Sequence, residues 1–275
     1  MKKIIIQFIN SGLFRILFKP IDVFHRFIST IFYNNNNNQV NNQLLLNYPS
    51  LNEKIVLNGP FKEMQYGSIG ALCSTFIPKI IGSYECELHD VIEEIIINNY
   101  SEVWDVGCAE GYYAVGLALK MPNTKITAFD IELDARKNCF ELAKINSVTE
   151  RVIICEKCDS NLINNSNFTN GLILSDCEGY ELEMFENVNL NETKFDCLIE
   201  IHEWPLERNV EKRMIEKFSP THEIIKIYSK SDMRKAKEYS FIPFEVNFNI
   251  SIIDRFNAFK ECRGDEMLWI FCKHK

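Results

Sequence analysis

Short apolar runs alternate with amphipathic segments along most of the chain. Such runs are typical of strands buried on both faces of a sheet, and they lie at 103–106, 125–129, 152–155, 171–175, 195–201, 224–228 and 267–271. Between and before them, apolar residues recur at helical spacing, which predicts helices at 85–99, 134–145, 180–187 and 206–218. The alternation predicts an α/β protein with a doubly wound, mostly parallel, seven-stranded sheet. We expect its last strand to be antiparallel.

The beginning of the chain has a different pattern. Residues 1–33 are rich in large apolar side chains. Charged residues interrupt them before any run reaches the ~18–20 residues of a membrane span. Because the segment is also net basic, we interpret it as a helical extension that packs on the core or on a partner subunit of a homo-oligomer. Peripheral contact with an anionic membrane surface is the weaker alternative.

Composition divides the rest of the chain into segments. The Asn- and Gln-rich tract at 34–45 cannot bury apolar area and predicts a linker. We expect a lid and N-terminal helices over 46–100, lying across the crevice of a core domain at 101–275. Within that domain the connection at 231–265 is long and aromatic-rich, and long ordered connections often carry function.

Length and charge limit the class of protein and its partners. The chain has 275 residues, of which 46% are hydrophobic, enough for one well-buried core with appendages. A net charge of −8 argues against nucleic acid as a partner and favours a small-molecule substrate. Ten cysteines without a clean signal peptide indicate buried thiols, and we expect a cytoplasmic protein. Cys155 and Cys158 form a lone C-x-x-C, without the second pair typical of zinc sites.

A turn of small residues follows the first strand of the predicted sheet. Gly107, Ala109 and Gly111 allow the backbone to bend sharply and to approach a ligand closely. The helix that follows presents its free N–H groups at the same place. In an open α/β sheet this crevice binds nucleotide-like cofactors. A P-loop is excluded because no G-K-[ST] follows, and no G-x-S-x-G supports a hydrolase.

Two acidic residues identify the kind of cofactor. Asp105 lies on the first strand, two residues before Gly107, where a dinucleotide-binding turn carries no buried acid. Asp130 ends the second strand, about twenty residues beyond Gly111, where a carboxylate accepts the ribose hydroxyls. An ordinary helix cap is the alternative interpretation of Asp130.

The D-x-G-x-A-x-G pattern from Asp105 to Gly111 resembles motif I of class I S-adenosylmethionine-dependent methyltransferases. The resemblance implies a Rossmann-like sheet in which Asp105 supports the turn and the amino-acid part of S-adenosylmethionine. It further implies that Asp159, after the third strand, holds the adenine amino group; a solvated loop aspartate is the alternative. Tyr84 and Glu85 are also candidates for cofactor contact, unless they belong to a helix cap with a packed aromatic.

Two polar sequences follow the fourth and fifth predicted strands, Asp176-Cys177-Glu178-Gly179-Tyr180-Glu181 and Glu200-Ile201-His202. Carboxylates at the edge of a core need a partner, a ligand or water. Together with motif I, the two sequences resemble the FkbM-like branch of the methyltransferases, over roughly residues 82–204. This chain departs from that branch at Asp130-Ile131, where the family usually has Glu-Pro. The resemblance implies O-methylation of a small molecule, often a sugar or a natural-product intermediate.

Roles for these polar residues follow from the chemistry of methyl transfer. A hydroxyl acceptor must lose its proton, and His202 is the natural general base, with Glu200 orienting it and Asp176 facing the acceptor. A structural hydrogen bond is the alternative role of His202. A divalent metal held by Asp176, Glu178, Glu200 and His202 is a weaker alternative. We expect Glu181 to face solvent or to cap its helix.

Two other functions stay open at the level of the sequence. Methylation of nitrogen or carbon would relax the need for a base. A methyltransferase-like fold retained as a non-catalytic binding module belongs to another class, but the intact turn and the acidic residues around it argue against lost activity.

Overall fold

The computed structural model describes residues 39–72, 74–203, 208–240, 250–261, 263 and 266–275. The chain divides into two units, with the boundary between Asn47 and Tyr48. All the strands and the candidate site belong to the second unit. Among the described residues, no helix has the length and apolar content needed to cross a membrane.

The first unit is described only over 39–47, which are helical. The linker predicted from composition over 34–45 is helical at 39–45, and its role as a linker stays a prediction. Within the helix, Gln43 Nε2 donates to Asn47 Oδ1 at 3.1 Å, an i,i+4 contact of the kind that supports a helical turn. The apolar extension predicted at 1–33 lies outside the described residues, so its role stays a prediction.

One seven-stranded sheet organises the described part of the second unit. The strand order is β3-β2-β1-β4-β5-β7-β6, and β7 is antiparallel to both of its neighbours. The other pairings are parallel. The predicted fold class is therefore confirmed. The strands are β1 (Glu102–Val106), β2 (Lys125–Phe129), β3 (Val152–Cys155), β4 (Gly171–Ser175), β5 (Phe195–Ile201), β6 (His222–Tyr228) and β7 (Leu268–His274).

Helices follow most of the strands. Those described in the second unit are α1 (Phe76–Ile81), α2 (His89–Asn98), α3 (Tyr112–Lys120), α4 (Leu133–Ile145), α5 (Ser160–Asn164), α6 (Glu181–Phe185), α7 (Val210–Phe218), α8 (Asp232–Glu238) and α9 (Ile252–Ala258). Helices α3 and α4 pack together beside β2 and β3, while α6 packs against α7. The first predicted helix begins later than expected, because Glu85 has a left-handed backbone (φ 48°) and a 3-10 turn precedes α2.

Alternation along β5 separates an apolar face from a polar one. Phe195, Cys197 and Ile199 point to the same side of the sheet, where they join the buried cluster formed with α6, α7 and β7. Glu200 points to the opposite side, although only 3% of its surface is exposed. The period of two therefore places a carboxylate inside the protein, close to the carboxyl end of β5.

The order of the strands also sets the position of the crevice. β1 lies between β2 and β4, so the chain leaves β1 towards one edge of the sheet and returns to pair with β4 on the other side. This is the topological switch point, where open α/β sheets bind ligands beyond the carboxyl ends of their strands.

Candidate active site

A cavity of about 430 Å³ opens at this switch point. Its volume lies in the range of about 300–1,000 Å³ typical of small-molecule sites. The walls come from the end of β1, the turn after it, the segments that follow β2, β3 and β4, and four residues before α2, which are Leu72, Ser74, Lys79 and Tyr84. The side chains used below to argue function are Lys79, Tyr84, Asp105, Asp130, Asp176 and Glu178.

The turn after β1 is packed so closely that only glycine fits at its first position. Gly107 has a φ of 85°, and a Cβ atom there would lie 1.8 Å from the backbone oxygen of Asp176. Ala109 also has a left-handed backbone (φ 48°), and Gly111 (φ 96°) precedes α3, where a Cβ would meet Cys139 Sγ at 2.8 Å. The turn therefore contacts the β4–α6 loop directly, which brings together the two sequence motifs that predicted the site.

Asp105 is a buried acid with an unsatisfied oxygen. The residue belongs to the cavity wall, and its buried Oδ2 has no hydrogen-bond partner among the described residues. Burial raises the pKa of this carboxyl to about 7, although the backbone of Ala114 acts in the opposite direction. A buried carboxylate oxygen without a partner costs free energy. The position therefore fits a ligand that brings a hydrogen-bond donor or a positive charge.

Asp130 connects the end of β2 to the glycine turn. Its Oδ2 accepts a hydrogen bond from the backbone N–H of Ala109 at 2.9 Å, and its Oδ1 accepts one from the N–H of Glu132 at 2.8 Å. The residue therefore joins two backbone segments and also lines the cavity, but it does not cap α4, whose N-cap is Glu132. Each carboxylate oxygen keeps a second lone pair for a ligand.

Lys79 is a residue of the cavity that was not predicted. Only 3% of its surface is exposed. Its ammonium group lies 2.5 Å from Glu110 Oε1, and 4.7 and 5.1 Å from the ring centroids of Tyr84 and Tyr112. Glu110 also accepts hydrogen bonds from Tyr66 Oη and the Leu72 N–H. The sequence does contain a signal for this residue, because Lys79 is the single charged residue in the apolar sequence of α1. A lysine is rarely buried without a partner, so its place there indicates a paired charge inside the protein.

The remaining predicted cofactor residues divide into two groups. Tyr84 lines the cavity. Glu85 does not line it: this residue is buried and accepts hydrogen bonds from Tyr113 Oη and the Arg263 guanidinium. Asp159 is likewise absent from the walls and instead caps α5, where its Oδ1 accepts the Leu162 N–H at 2.9 Å. The wall after β3 is formed by 156–158.

Four carboxylates surround His202 next to the cavity, and we call Asp176, Glu178, Glu181, Glu200 and His202 the acidic cluster. His202 Nδ1 lies 2.6 Å from Glu181 Oε1. Its Nε2 faces Asp176 Oδ1 and Glu178 Oε2 at 3.6 Å each and Glu200 Oε2 at 3.7 Å. Asp176 and Glu178 line the cavity, whereas Glu200 and His202 lie behind them.

The position of Glu181 corrects a prediction. It was expected to face solvent or to cap its helix, but it is completely buried and contacts His202. The reason is the turn before α6: Glu178 (φ 52°) and Gly179 (φ 99°) reverse the chain, and the Gly179 N–H donates to Glu181 Oε1 at 3.1 Å. Glu181, rather than Glu200, therefore bonds the imidazole.

Crowding of like charges changes the protonation of the cluster. Burial and the neighbouring Glu200 carboxylate raise the pKa of Asp176 well above its usual range. Burial and Glu85 raise the pKa of Glu200. Burial acts to lower the pKa of His202, but the hydrogen bond to Glu181 and the nearby carboxylates outweigh it, so the pKa is raised. Because these groups are so close together, protonation of one of them changes the pKa of the others.

A buried ionic layer supports the cluster from the C-terminal connection. Arg263 donates to Glu200 Oε1 at 2.6 Å and to Glu261 Oε2 at 3.2 Å, in addition to its contact with Glu85. Lys235 contacts Glu261 Oε1 at 2.6 Å. The described residues of 231–265 are absent from the cavity walls. What they contribute is contacts to two carboxylates: Arg263 holds that of Glu200 at the end of β5 and that of Glu85 before α2.

Comparisons with known proteins identify similar folds only. No model of a known protein family matches the sequence, and no curated protein matches it. Similar solved structures include a putative O-methyltransferase from Klebsiella pneumoniae (10% identity, 70% of this chain and 81% of that chain, TM-score 0.46). An O-methyltransferase from Bacillus cereus in complex with SAH is also similar (10%, 66% and 78%, TM-score 0.45).

A third similar structure is TrmK of M. capricolum in complex with S-adenosyl-homocysteine (10% identity, 66% of this chain and 67% of that chain, TM-score 0.44). These neighbours are methyltransferases. At such identities and TM-scores the likeness by itself assigns neither an activity nor a cofactor to this chain.

Proposed function

We propose that this protein is a class I methyltransferase that binds S-adenosylmethionine in the cavity at the end of β1. The observation that carries the proposal is the unpartnered, buried oxygen of Asp105 on the wall of that cavity, beside a turn where Gly107 leaves no room for a Cβ. The cofactor is a zwitterion at its amino-acid end, so it brings the positive group that Asp105 lacks. When bound, it supplies an activated methyl group on a sulfonium.

Charges of opposite sign on the wall fit that amino-acid end. Asp105 would accept hydrogen bonds from the α-ammonium, and Lys79 would donate to the α-carboxylate. Lys79 is already paired with Glu110 and packed against two tyrosine rings, which fixes the position of its ammonium group and leaves further N–H donors for a ligand. Asp130, at the end of β2, would accept the ribose hydroxyls with its remaining lone pairs.

The acidic cluster defines the acceptor side. We propose O-methylation of a small molecule, as the resemblance of D-x-E-G-x-E and E-x-H to the FkbM-like branch implies, with a sugar or a natural-product intermediate as acceptor. Asp176, on the cavity wall, would take the proton of the acceptor hydroxyl, and His202 and Glu200 behind it would share the charge. Alignment of the acceptor with the methyl donor supplies most of the remaining rate enhancement.

Methylation of an amine is the second candidate. The acceptor side of the cavity carries the carboxylates of Asp176 and Glu178, and this charge favours an ammonium over a neutral hydroxyl. The same cluster would then remove a proton from the ammonium before transfer. Assay of the purified protein with hydroxyl and amine acceptors separates the two candidates by the atom that carries the methyl group.

Calorimetry tests the cofactor directly. We expect S-adenosylhomocysteine to bind the full chain and methylthioadenosine, which lacks the amino-acid end, to bind at least about tenfold more weakly, because the contacts to Asp105 and Lys79 are lost. Lys79→Met should lower the affinity for S-adenosylhomocysteine and leave the affinity for methylthioadenosine nearly unchanged. Absence of binding by a folded protein would contradict the proposed cofactor, while equal effects of Lys79→Met on both ligands would contradict only the role of Lys79.

A further inference from the structure

Three potential ligand atoms converge where β4 and β5 end. Asp176 Oδ1, Glu178 Oε2 and His202 Nε2 all lie within 4.8 Å of one another, and each oxygen is 3.6 Å from the nitrogen. These distances are too long for hydrogen bonds. Two donors that bind one cation at about 2.1 Å lie roughly 3.0 to 4.2 Å apart, depending on the angle between them. The two oxygen–nitrogen distances of 3.6 Å fall in this range, and the carboxylate oxygens of Asp176 and Glu178 lie within 4.8 Å of each other.

The imidazole of His202 is held in the orientation that a metal ligand requires. Glu181 is completely buried, and its Oε1 lies 2.6 Å from His202 Nδ1, so Nδ1 carries the proton that is donated to this carboxylate. In the neutral ring the lone pair is then on Nε2, directed at Asp176 and Glu178. Metal-binding histidines very commonly donate their other N–H to a carboxylate in this way.

An unpartnered buried oxygen faces the same point. Asp176 Oδ1 has no hydrogen-bond partner among the described residues. Glu200 adds negative charge from behind, with its Oε2 at 3.7 Å from His202 Nε2, while Arg263 holds its other oxygen at 2.6 Å. A bound cation would give Asp176 Oδ1 the partner it lacks and would offset the excess negative charge.

We propose that Asp176, Glu178 and His202 bind one divalent transition-metal cation such as Mn²⁺, with Glu181 as the residue that positions the imidazole. A set of two carboxylates and one imidazole suits first-row metals of this kind. Asp176 and Glu178 line the cavity, and 73% of the Glu178 side chain is exposed. The remaining coordination positions therefore face the cavity, where a water or an oxygen of the acceptor completes the shell. This site shares Asp176 and His202 with the acceptor side of the proposed function and adds a cation to it, but binding of the cation itself requires no cofactor.

Titration of the full chain with Mn²⁺, followed by the electron paramagnetic resonance of the free ion, tests the proposal. We expect one saturable site per chain. Glu178→Gln and Asp176→Asn should each weaken binding at least about tenfold, because each removes a charged ligand at nearly constant shape. Glu178 is exposed, so its variant is expected to fold; circular dichroism checks both. Glu156→Gln is the matched control, since it removes an exposed carboxylate of the same cavity outside the ligand set.

The positioning role of Glu181 has its own measurement. Glu181→Gln should weaken Mn²⁺ binding about 10- to 100-fold while the affinity for S-adenosylhomocysteine stays the same. A purely structural role would lower both affinities together, because the cluster and the glycine turn are in contact through Asp176.

Three results would overturn the cation site. They are the absence of saturable Mn²⁺ binding up to millimolar concentration, unchanged affinity in Glu178→Gln and Asp176→Asn, or an equal loss in Glu156→Gln. The affinity for S-adenosylhomocysteine, measured on the same preparations in the presence of a chelator, is independent of all three. Failure of the cation site therefore leaves the proposed cofactor standing, and the reverse also holds.

Discussion

The two sides of the cavity are built on different principles. On the glycine-turn side, Asp130 is satisfied by backbone N–H groups, those of Ala109 and Glu132. On the side of the acidic cluster, charges are balanced by other side chains: His202 contacts Glu181, and Arg263 contacts Glu200 from 63 residues away. Local backbone contacts leave a signature in the sequence, whereas long-range ion pairs do not.

The largest effect is expected where the two sides touch. Gly107→Ala would place a Cβ 1.8 Å from the backbone oxygen of Asp176 in a left-handed conformation, and neither backbone segment can move without displacing a strand end. We expect a loss of more than about 3 kcal/mol in the free energy of unfolding and no binding of S-adenosylhomocysteine. Urea denaturation and calorimetry measure the two quantities.

Gly70→Ala is the control for that substitution. Gly70 is exposed, and a Cβ there would have no heavy atom within 4 Å. We expect unfolding and ligand binding close to those of the parent protein. If Gly107→Ala behaved like Gly70→Ala, the two sides of the cavity would not be in the contact described above.

An intermediate effect is expected at Asp105, and it depends on pH. Burial raises the pKa of this carboxyl from 3.8 to about 7 in the folded protein. Between these values the unfolded chain has released a proton that the folded chain retains, so stability falls as the pH rises from about 4 to about 7, and the loss is complete above that range. At 1.36 kcal/mol per pKa unit the loss is at most about 4 kcal/mol.

Asp105→Asn removes this titration. Relative to the parent protein, the variant should therefore gain stability with rising pH over the same window, as measured by urea denaturation at several pH values. Its affinity for S-adenosylhomocysteine should fall, because the amide cannot pair with the α-ammonium as a carboxylate does. If the difference in unfolding free energy between Asp105→Asn and the parent protein did not change with pH, the pKa of Asp105 would not be raised in the folded protein. Other contacts would then offset the cost of burying its carboxylate.

The smallest effect is expected at Asp159. In the structure this residue caps α5 through the Leu162 N–H, and it is absent from the cavity walls. Asp159→Ala should cost about 1 kcal/mol of unfolding free energy, the usual effect of losing such a cap. Calorimetry should find the affinity for S-adenosylhomocysteine unchanged within about twofold. A loss of more than about tenfold would instead support the adenine contact that the family resemblance implies.

Much of the sheet could be predicted from the sequence. The predicted limits of β2, β3, β4 and β5 agree with those observed, because each is an apolar run bounded by turn residues. The beginning of α2 could not be predicted in this way. The helical pattern extends to residue 85, but Glu85 is held in a left-handed conformation within the buried ion pairs made by Arg263, which is 178 residues away in the chain.

By itself, the sequence determined the order of the seven strands, the helices α2, α3, α4, α6 and α7, the glycine turn and the acids Asp105 and Asp130. Periodicity, small residues and short spacings within one strand–turn–helix unit specify these features locally. Only the tertiary structure decided that Lys79 lies on the cavity wall, that Asp159 does not, and that Glu181 is buried beneath His202. The reason is physical: a charge is buried where another charge meets it, and that partner can come from anywhere in the chain.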